Sequence, residues 1–165
     1  MVECPQGASK CIHGLENNTA NGDVVLTAFK TCYVPVIPGI ACTKNDHLLT
    51  SSNYILRFST DCTNNLAPFE VPPWNNTLNG YKCPDCYNTS SDDCNSEKEI
   101  ECTGRQTECL HFWGMLQRPG RKIRKSVVKG CVTSESCSLA KFLPGTKARV
   151  FSIECSPALR SSVHL

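Results

Sequence analysis

The sequence predicts a small, all-β, disulfide-rich chain made of two tandem units, the first of them incomplete. Three observations carry this. Thirteen of 165 residues are cysteine, about 8 % of the chain, which is the level expected of a disulfide scaffold. Strand-type runs are present, whereas proline and glycine interrupt any helix longer than about two turns. The cysteines and their neighbours also recur at a nearly constant offset. Aromatics make only 7 %, so a large buried core is not expected and cross-links must compensate.

The repeat is read residue by residue. Glu3-Cys4 is followed by Cys11-Ile12-His13, and Glu101-Cys102 by Cys109-Leu110-His111, with six residues between the two cysteines in each case. Phe29-Lys30-Thr31-Cys32 answers Val128-Lys129-Gly130-Cys131, and Cys42 answers Cys137. Arg57-Phe58-Ser59-Thr60-Asp61-Cys62 answers Val150-Phe151-Ser152-Ile153-Glu154-Cys155. The offset is 98 residues at the first pair and 93 at the last. Two copies with many cysteines mean paired domains rather than a solenoid. The second copy has eight cysteines and the first five; the missing three correspond to Cys83, Cys86 and Cys94.

These features divide the chain into a partial unit at 1–62, a linker at 63–80 and a second unit at 81–165. The linker carries Pro68, Pro72, Pro73 and several asparagines, which helices and central strands tolerate poorly. Asn79-Gly80 reads as a turn at its end, and Trp74 is free to pack against either unit. Strands are expected over Asp23 to Val34 and Asn53 to Cys62, from Cys109 to Met115, and around Ser126-Val127-Val128. Alternation places Tyr54, Leu56, Phe58, Thr60 and Cys62 on one face, and Phe151, Ile153 and Cys155 on one face in the second unit.

Composition excludes several classes. Residues 1–80 hold four Lys/Arg and six Asp/Glu, a net of −2; residues 81–165 hold thirteen and nine, a net of +4. Neither value marks a nucleic-acid binder. No apolar run is long enough to span a bilayer, and the C-terminus lacks the hydrophobic tail of a glycolipid-anchor signal. The N-terminus lacks a signal-peptide h-region, so further residues are expected upstream. The cysteine content and three N-x-S/T sequons, at Asn17, Asn75 and Asn88, point to an oxidising, extracellular location. Each sequon lies in a polar stretch where a turn would project a glycan into water.

Five cysteines fall within the 27 residues from Cys83 to Cys109. Cys83-Pro84-Asp85-Cys86 has neither the βαβ setting of a redox pair nor the second CxxC of a zinc ribbon, so structural disulfides are the favoured reading and neither metal nor other cofactor is expected. His13, His47, His111 and His164 lie in no G-x-S-x-G or H-E-x-x-H motif, and Asp92-Asp93 read as surface acids; enzymatic activity is not expected. The cluster Arg118, Arg121, Lys122, Arg124, Lys125 and Lys129 reads as a solvated loop tip around Pro119-Gly120, or as a surface for heparin, anionic lipid or an acidic partner. The apolar Phe112, Trp113, Met115 and Leu116 before it are either core or an exposed patch.

The second unit resembles the Ly6/uPAR family, through Asn79-Gly80-Tyr81-Lys82-Cys83-Pro84-Asp85-Cys86, Cys94, Glu101-Cys102, Cys109, Lys129-Gly130-Cys131-Val132, Cys137 and Ile153-Glu154-Cys155. Within it the chain is most similar to the two-domain gamma-type phospholipase A2 inhibitors. The resemblance implies three-fingered β domains, the first lacking its opening finger. It implies bridges Cys83–Cys109, Cys86–Cys94, Cys102–Cys131 and Cys137–Cys155, with Cys4–Cys32 and Cys42–Cys62 in the first unit and Cys11 unpaired. It further implies a secreted inhibitor that binds phospholipase A2 sterically and forms homo- or hetero-oligomers. Phe112, Trp113, Met115, Leu116, Arg118, Arg121, Lys122, Arg124 and Lys125 are its expected contact residues. A receptor-ligand or pheromone-like signalling module is the alternative.

Overall fold

The computed structural model describes residues 6, 10–33, 44–62, 71, 73–90, 94, 97–134, 136 and 145–161. Cys4, Cys42 and Cys137 lie outside the described residues, and so do positions 63–70 and 72 of the expected linker and the bridges assigned to those three cysteines.

Among the described residues eleven strands follow one another: β1 (Lys10–Ala20), β2 (Asp23–Tyr33), β3 (Asn45–Ser51), β4 (Tyr54–Cys62), β5 (Leu78–Pro84), β6 (Cys86–Asn88), β7 (Glu99–Thr103), β8 (Gln106–Gln117), β9 (Arg124–Thr133), β10 (Lys147–Pro157) and β11 (Leu159–Arg160). All strand pairings among the described residues are antiparallel. The larger sheet runs β10-β8-β9-β3-β4-β1-β2, with β6 also on β9; β11-β5-β7 form a smaller one. The order β4-β1-β2 in the N-terminal half is repeated by β10-β8-β9 in the C-terminal half.

The sheet is continuous across the chain because β3 pairs with β9 at Leu49↔Val132 and Thr50↔Cys131. Gly130 makes this approach possible. A Cβ there would stand 2.0 Å from the Thr50 carbonyl oxygen, a backbone atom that cannot swing away. The repeat places Thr31 at the matching position of β2, whose only strand partner among the described residues is β1. The glycine stands where a neighbouring strand docks and the threonine where none of the described strands does.

The main core draws on both halves: Ala20, Leu49 and Tyr54 from one, Leu110, Phe112, Leu116, Val128 and Val132 from the other. A second cluster is built of cysteines. Cys83, Cys102, Cys109 and Cys131 pack with Ala158, bordered by Tyr81 and Ile100. Cys83 is bonded to Cys109 and Cys102 to Cys131, with Cα separations of 5.4 and 5.5 Å. The two bridges touch, Cys83 Sγ lying 3.6 Å from Cys102 Sγ. Cys86–Cys94 is a third bridge. Cys32, Cys62 and Cys155 are also disulfide-bonded, whereas Cys11 is free and exposed.

Two expectations are corrected by local irregularity. Asn79-Gly80 is not a turn but part of β5, where the register shifts between Leu78 and Lys82. Gly80 takes φ +78° there, a conformation that glycine adopts without a Cβ penalty. The Asn79 amide holds the distortion by donating to the Gly104 and Gln106 carbonyls at 3.1 and 2.7 Å. In β10 a register shift between Val150 and Ser152 turns Phe151 outward, while Val150, Ile153 and Cys155 pack on the core. Simple alternation puts Phe151 with Ile153 and Cys155; one extra residue in the strand reverses its side.

Removing the Cys102–Cys131 bridge with paired alanines is expected to lower unfolding free energy in urea by about 3–4 kcal/mol, from the loop of roughly 30 residues it closes. Gly130→Ala is expected to cost about 1–3 kcal/mol by overpacking and to strip amide-exchange protection from Leu49–Ser51. Thr31→Ala, at the matching position, is expected to leave that protection intact.

Candidate functional site

The β1–β2 hairpin turns at Asn21 and Gly22, with φ of +49° and +81°, as a two-residue turn with both central residues left-handed. The β8–β9 hairpin turns at Pro119-Gly120, closed by Arg121 N–H to the Arg118 carbonyl at 2.9 Å. The two hairpin tips meet at Asp23. Arg121 donates from Nε and Nη2 to the two Asp23 carboxylate oxygens, both at 2.9 Å. Arg118 donates to Asp23 Oδ2 at 2.9 Å and to the Asp23 carbonyl, and also to Asn18 Oδ1 at 2.7 Å and the Asn18 carbonyl at 2.8 Å. The hydrogen bond from Arg121 is the chief reason the Asp23 carboxyl is held down to about 2; partial desolvation opposes it and Arg118 adds to it.

Behind this clasp runs a buried polar seam between the halves. Asn18 Nδ2 donates to the Tyr54 hydroxyl at 3.0 Å and to Thr146 Oγ1 at 2.6 Å. Glu16, fully buried, accepts from the Gly145 and Thr146 amides at 2.8 and 3.1 Å and from the Thr146 hydroxyl. Gln106, also fully buried, donates to Thr50 Oγ1 at 3.0 Å and to the Cys131 carbonyl at 2.8 Å. Asp85 accepts from the Ser51 hydroxyl at 2.7 Å, the Ser52 amide at 2.9 Å and the Ser52 hydroxyl. It thereby holds the β3–β4 turn. Satisfied buried polar groups of this kind fix one arrangement, because any shift strands them without partners.

Between the hairpin tips lies a cleft of about 540 Å³. Its floor includes Tyr54 and Tyr87, stacked with centroids 5.0 Å apart. Burial pushes both phenols up; the positive charges of Arg118 and Arg124 pull Tyr87 the other way. Arg118, Arg121, Lys122 and Arg124 line the cleft with Asp23 as its acidic member. Lys122 and Arg124 have no ion-pair partner among the described residues.

The expected contact residues separate by face. On β8, Phe112 and Leu116 are buried in the core; of the two alternatives, core or exposed patch, these two residues take the first, since a strand sends alternate side chains to opposite faces. Trp113 and Met115 lie half-buried on the other face. The bulged Phe151, 44 % exposed, meets the Trp113 ring edge-on at 5.1 Å. Lys125 lies over Trp113 at 5.5 Å and Arg149 over Phe151 at 5.7 Å.

The sequons sit unequally. Asn17 belongs to β1, paired on both sides by β2 and β4, and is half-buried, so that sequon is not on a turn. Asn75 is exposed and Asn88 half-buried in β6. The sulfurs of Cys83, Cys102 and Cys131 lie within 4.8 Å of one another, but they are joined in disulfides and offer no thiolate. His111, opposite Lys129 on β9, is lowered first by desolvation and then by that lysine.

Sequence reasoning passed over Glu16, Asn18, Asp23, Asp85 and Gln106. Asn21-Gly22 between two strand-like runs was a legible hairpin signal that would have placed Asp23 at a tip. The cross-chain partners of the others had no local signal.

The class the fold and site define is an antiparallel sheet stapled by contacting disulfides, with two hairpins converging on one cleft. Residues 79–159 match the u-PAR/Ly-6 domain family. It is 33 % identical over 89 residues to a phospholipase A2 inhibitor gamma subunit of Laticauda semifasciata, a match that covers 53 % of this chain and 48 % of that protein. The match thus spans about half the length of that relative. A crystal structure of mouse TEX101 aligns over 94 % of this chain and 84 % of its own at 20 % identity and a TM-score of 0.35.

The Asp23 clasp sets a pH dependence. Its carboxyl is depressed in the folded state, so the contribution is complete above the ordinary aspartate value near 3.9. It is lost as pH falls through about 2. Carboxyl NMR of Asp23 is expected to titrate near that lower value, and Arg121→Gln to move the midpoint up toward the ordinary one.

Proposed function

We propose that this chain is an extracellular, non-catalytic binding module that inhibits a phospholipase A2 by covering the surface through which the enzyme reaches lipid. The observation that carries the reading is the aromatic pair Trp113–Phe151, flanked by Lys125 and Arg149, on the outer face of a disulfide-stapled sheet. Aromatic and arginine side chains dominate binding hot spots. A scaffold already ordered by bridges loses little conformational entropy on association. The name of the Laticauda relative, a phospholipase A2 inhibitor, directs the reading to that enzyme class. The proposed organisation is two repeated units, at 1–62 and 81–165, joined by the segment 63–80, with Asn75 the best-exposed glycan acceptor.

Lipid hydrolysis by secreted phospholipases in the presence of the purified chain tests this. Inhibition at micromolar protein or below is expected. Phe151→Ala with Arg149→Ala is expected to weaken it by roughly 10- to 100-fold, the range of a hot-spot loss, with unfolding in urea little changed because both side chains lie on the outer face. Absence of inhibition at micromolar protein would remove the reading, and inhibition unaffected by the double variant would move the contact elsewhere.

A further inference from the structure

We propose that the cleft between the hairpin tips is a binding site for a phosphate-ester group carrying an alkyl chain, the chemistry of a single-chain phospholipid. This does not rest on the phospholipase reading, and it uses the face of the sheet opposite Trp113 and Phe151.

Charge is the first argument. Among the described residues four cations line the cleft, namely Arg118, Arg121, Lys122 and Arg124, against the carboxylate of Asp23. Asp23 is shared by Arg118 and Arg121, which leaves a surplus of three positive charges (4 − 1) among the described lining residues. Arg118 and Arg121 are structural, but Lys122 and Arg124 are exposed and have no ion-pair partner among the described residues. A concave site lined by one sign of charge concentrates counter-ions of the other, and guanidinium matches the oxygens of a phosphate in a bidentate fork.

Shape and the remaining lining narrow the ligand. The volume of about 540 Å³ falls within the range of small-molecule pockets and far exceeds what a bare oxyanion fills. Ala20, Leu116 and the stacked rings of Tyr54 and Tyr87 supply an apolar wall. Thr89 is also part of the lining. A flat basic surface would suit a sulfated polysaccharide; a cleft with exposed cations beside a more deeply set aromatic wall suits an anionic head with an apolar tail.

The test is calorimetric titration of the full chain with octyl phosphate, inorganic phosphate, octyl glucoside and a heparin oligosaccharide. Octyl phosphate is expected to bind more tightly than inorganic phosphate, and octyl glucoside not to bind. Lys122→Gln with Arg124→Gln is expected to weaken octyl phosphate about tenfold or more, as loss of charge-assisted contacts predicts. Near-UV circular dichroism of this variant should match that of the parent, since neither side chain holds another element in place. Equal affinity for inorganic and octyl phosphate would assign the site to free phosphate and overturn the alkyl subsite. Binding of octyl glucoside as tight as that of octyl phosphate, binding of the heparin oligosaccharide alone, or octyl phosphate binding unchanged in the double variant would each overturn the proposal.

Discussion

Two disulfides in contact, Cys83–Cys109 and Cys102–Cys131, are the constraint on which the rest of the fold depends. They join β5, β7, β8 and β9 at the end of the β8–β9 hairpin remote from its turn. All four cysteines are buried, with Cys102 and Cys131 fully so, and their sulfurs occupy the place that aliphatic side chains fill in a larger domain. A chain of this size with few aromatics buries little apolar surface for each residue it orders. Cross-links shift the balance by restricting the unfolded chain rather than by adding contacts to the folded one.

With that end fixed, β9 presents its outer edge in a defined position, and two different strands use it. β6 pairs at Val127, Val128 and Lys129; β3 pairs just beyond, at Cys131 and Val132. Glycine at position 130 lies at the changeover, where the Thr50 carbonyl comes too close for any side chain. The buried side chains of Gln106 and Asp85 then tie β3 and its turn to the C-terminal half. Their hydrogen bonds add modestly to stability when made, but each would cost more if left unmade in the interior. The halves consequently share one core, to which Tyr54 and Phe112 contribute from opposite sides of the repeat.

The sheet then presents two unlike surfaces. Cations stand near both, but with different neighbours. On the outer face Lys125 and Arg149 lie over aromatic rings, which holds the long side chains against apolar surface. In the cleft, guanidinium groups surround one carboxylate and charge remains unbalanced. The bulge in β10 is what makes the first surface aromatic, because it brings Phe151 out beside Trp113. The meeting of two hairpin tips at Asp23 is what makes the second concave.

The amino-acid sequence by itself determined the all-β class, the repeat and the positions of the cysteines, because these rest on composition, short-range alternation and spacing along the chain. Strands β2, β4, β8 and β9 were legible for the same reason. Tertiary structure alone decided the side on which Phe151 emerges, the burial of Phe112 and Leu116, and the bulge at Asn79-Gly80, since register shifts depend on the neighbouring strand. It also decided that Glu16, Asn18, Asp85 and Gln106 form a seam. Apart from the bonds Gln106 accepts from nearby Thr103, their partners lie between 25 and 130 residues away, and a polar side chain carries no mark in sequence of a hydrogen bond made at that distance.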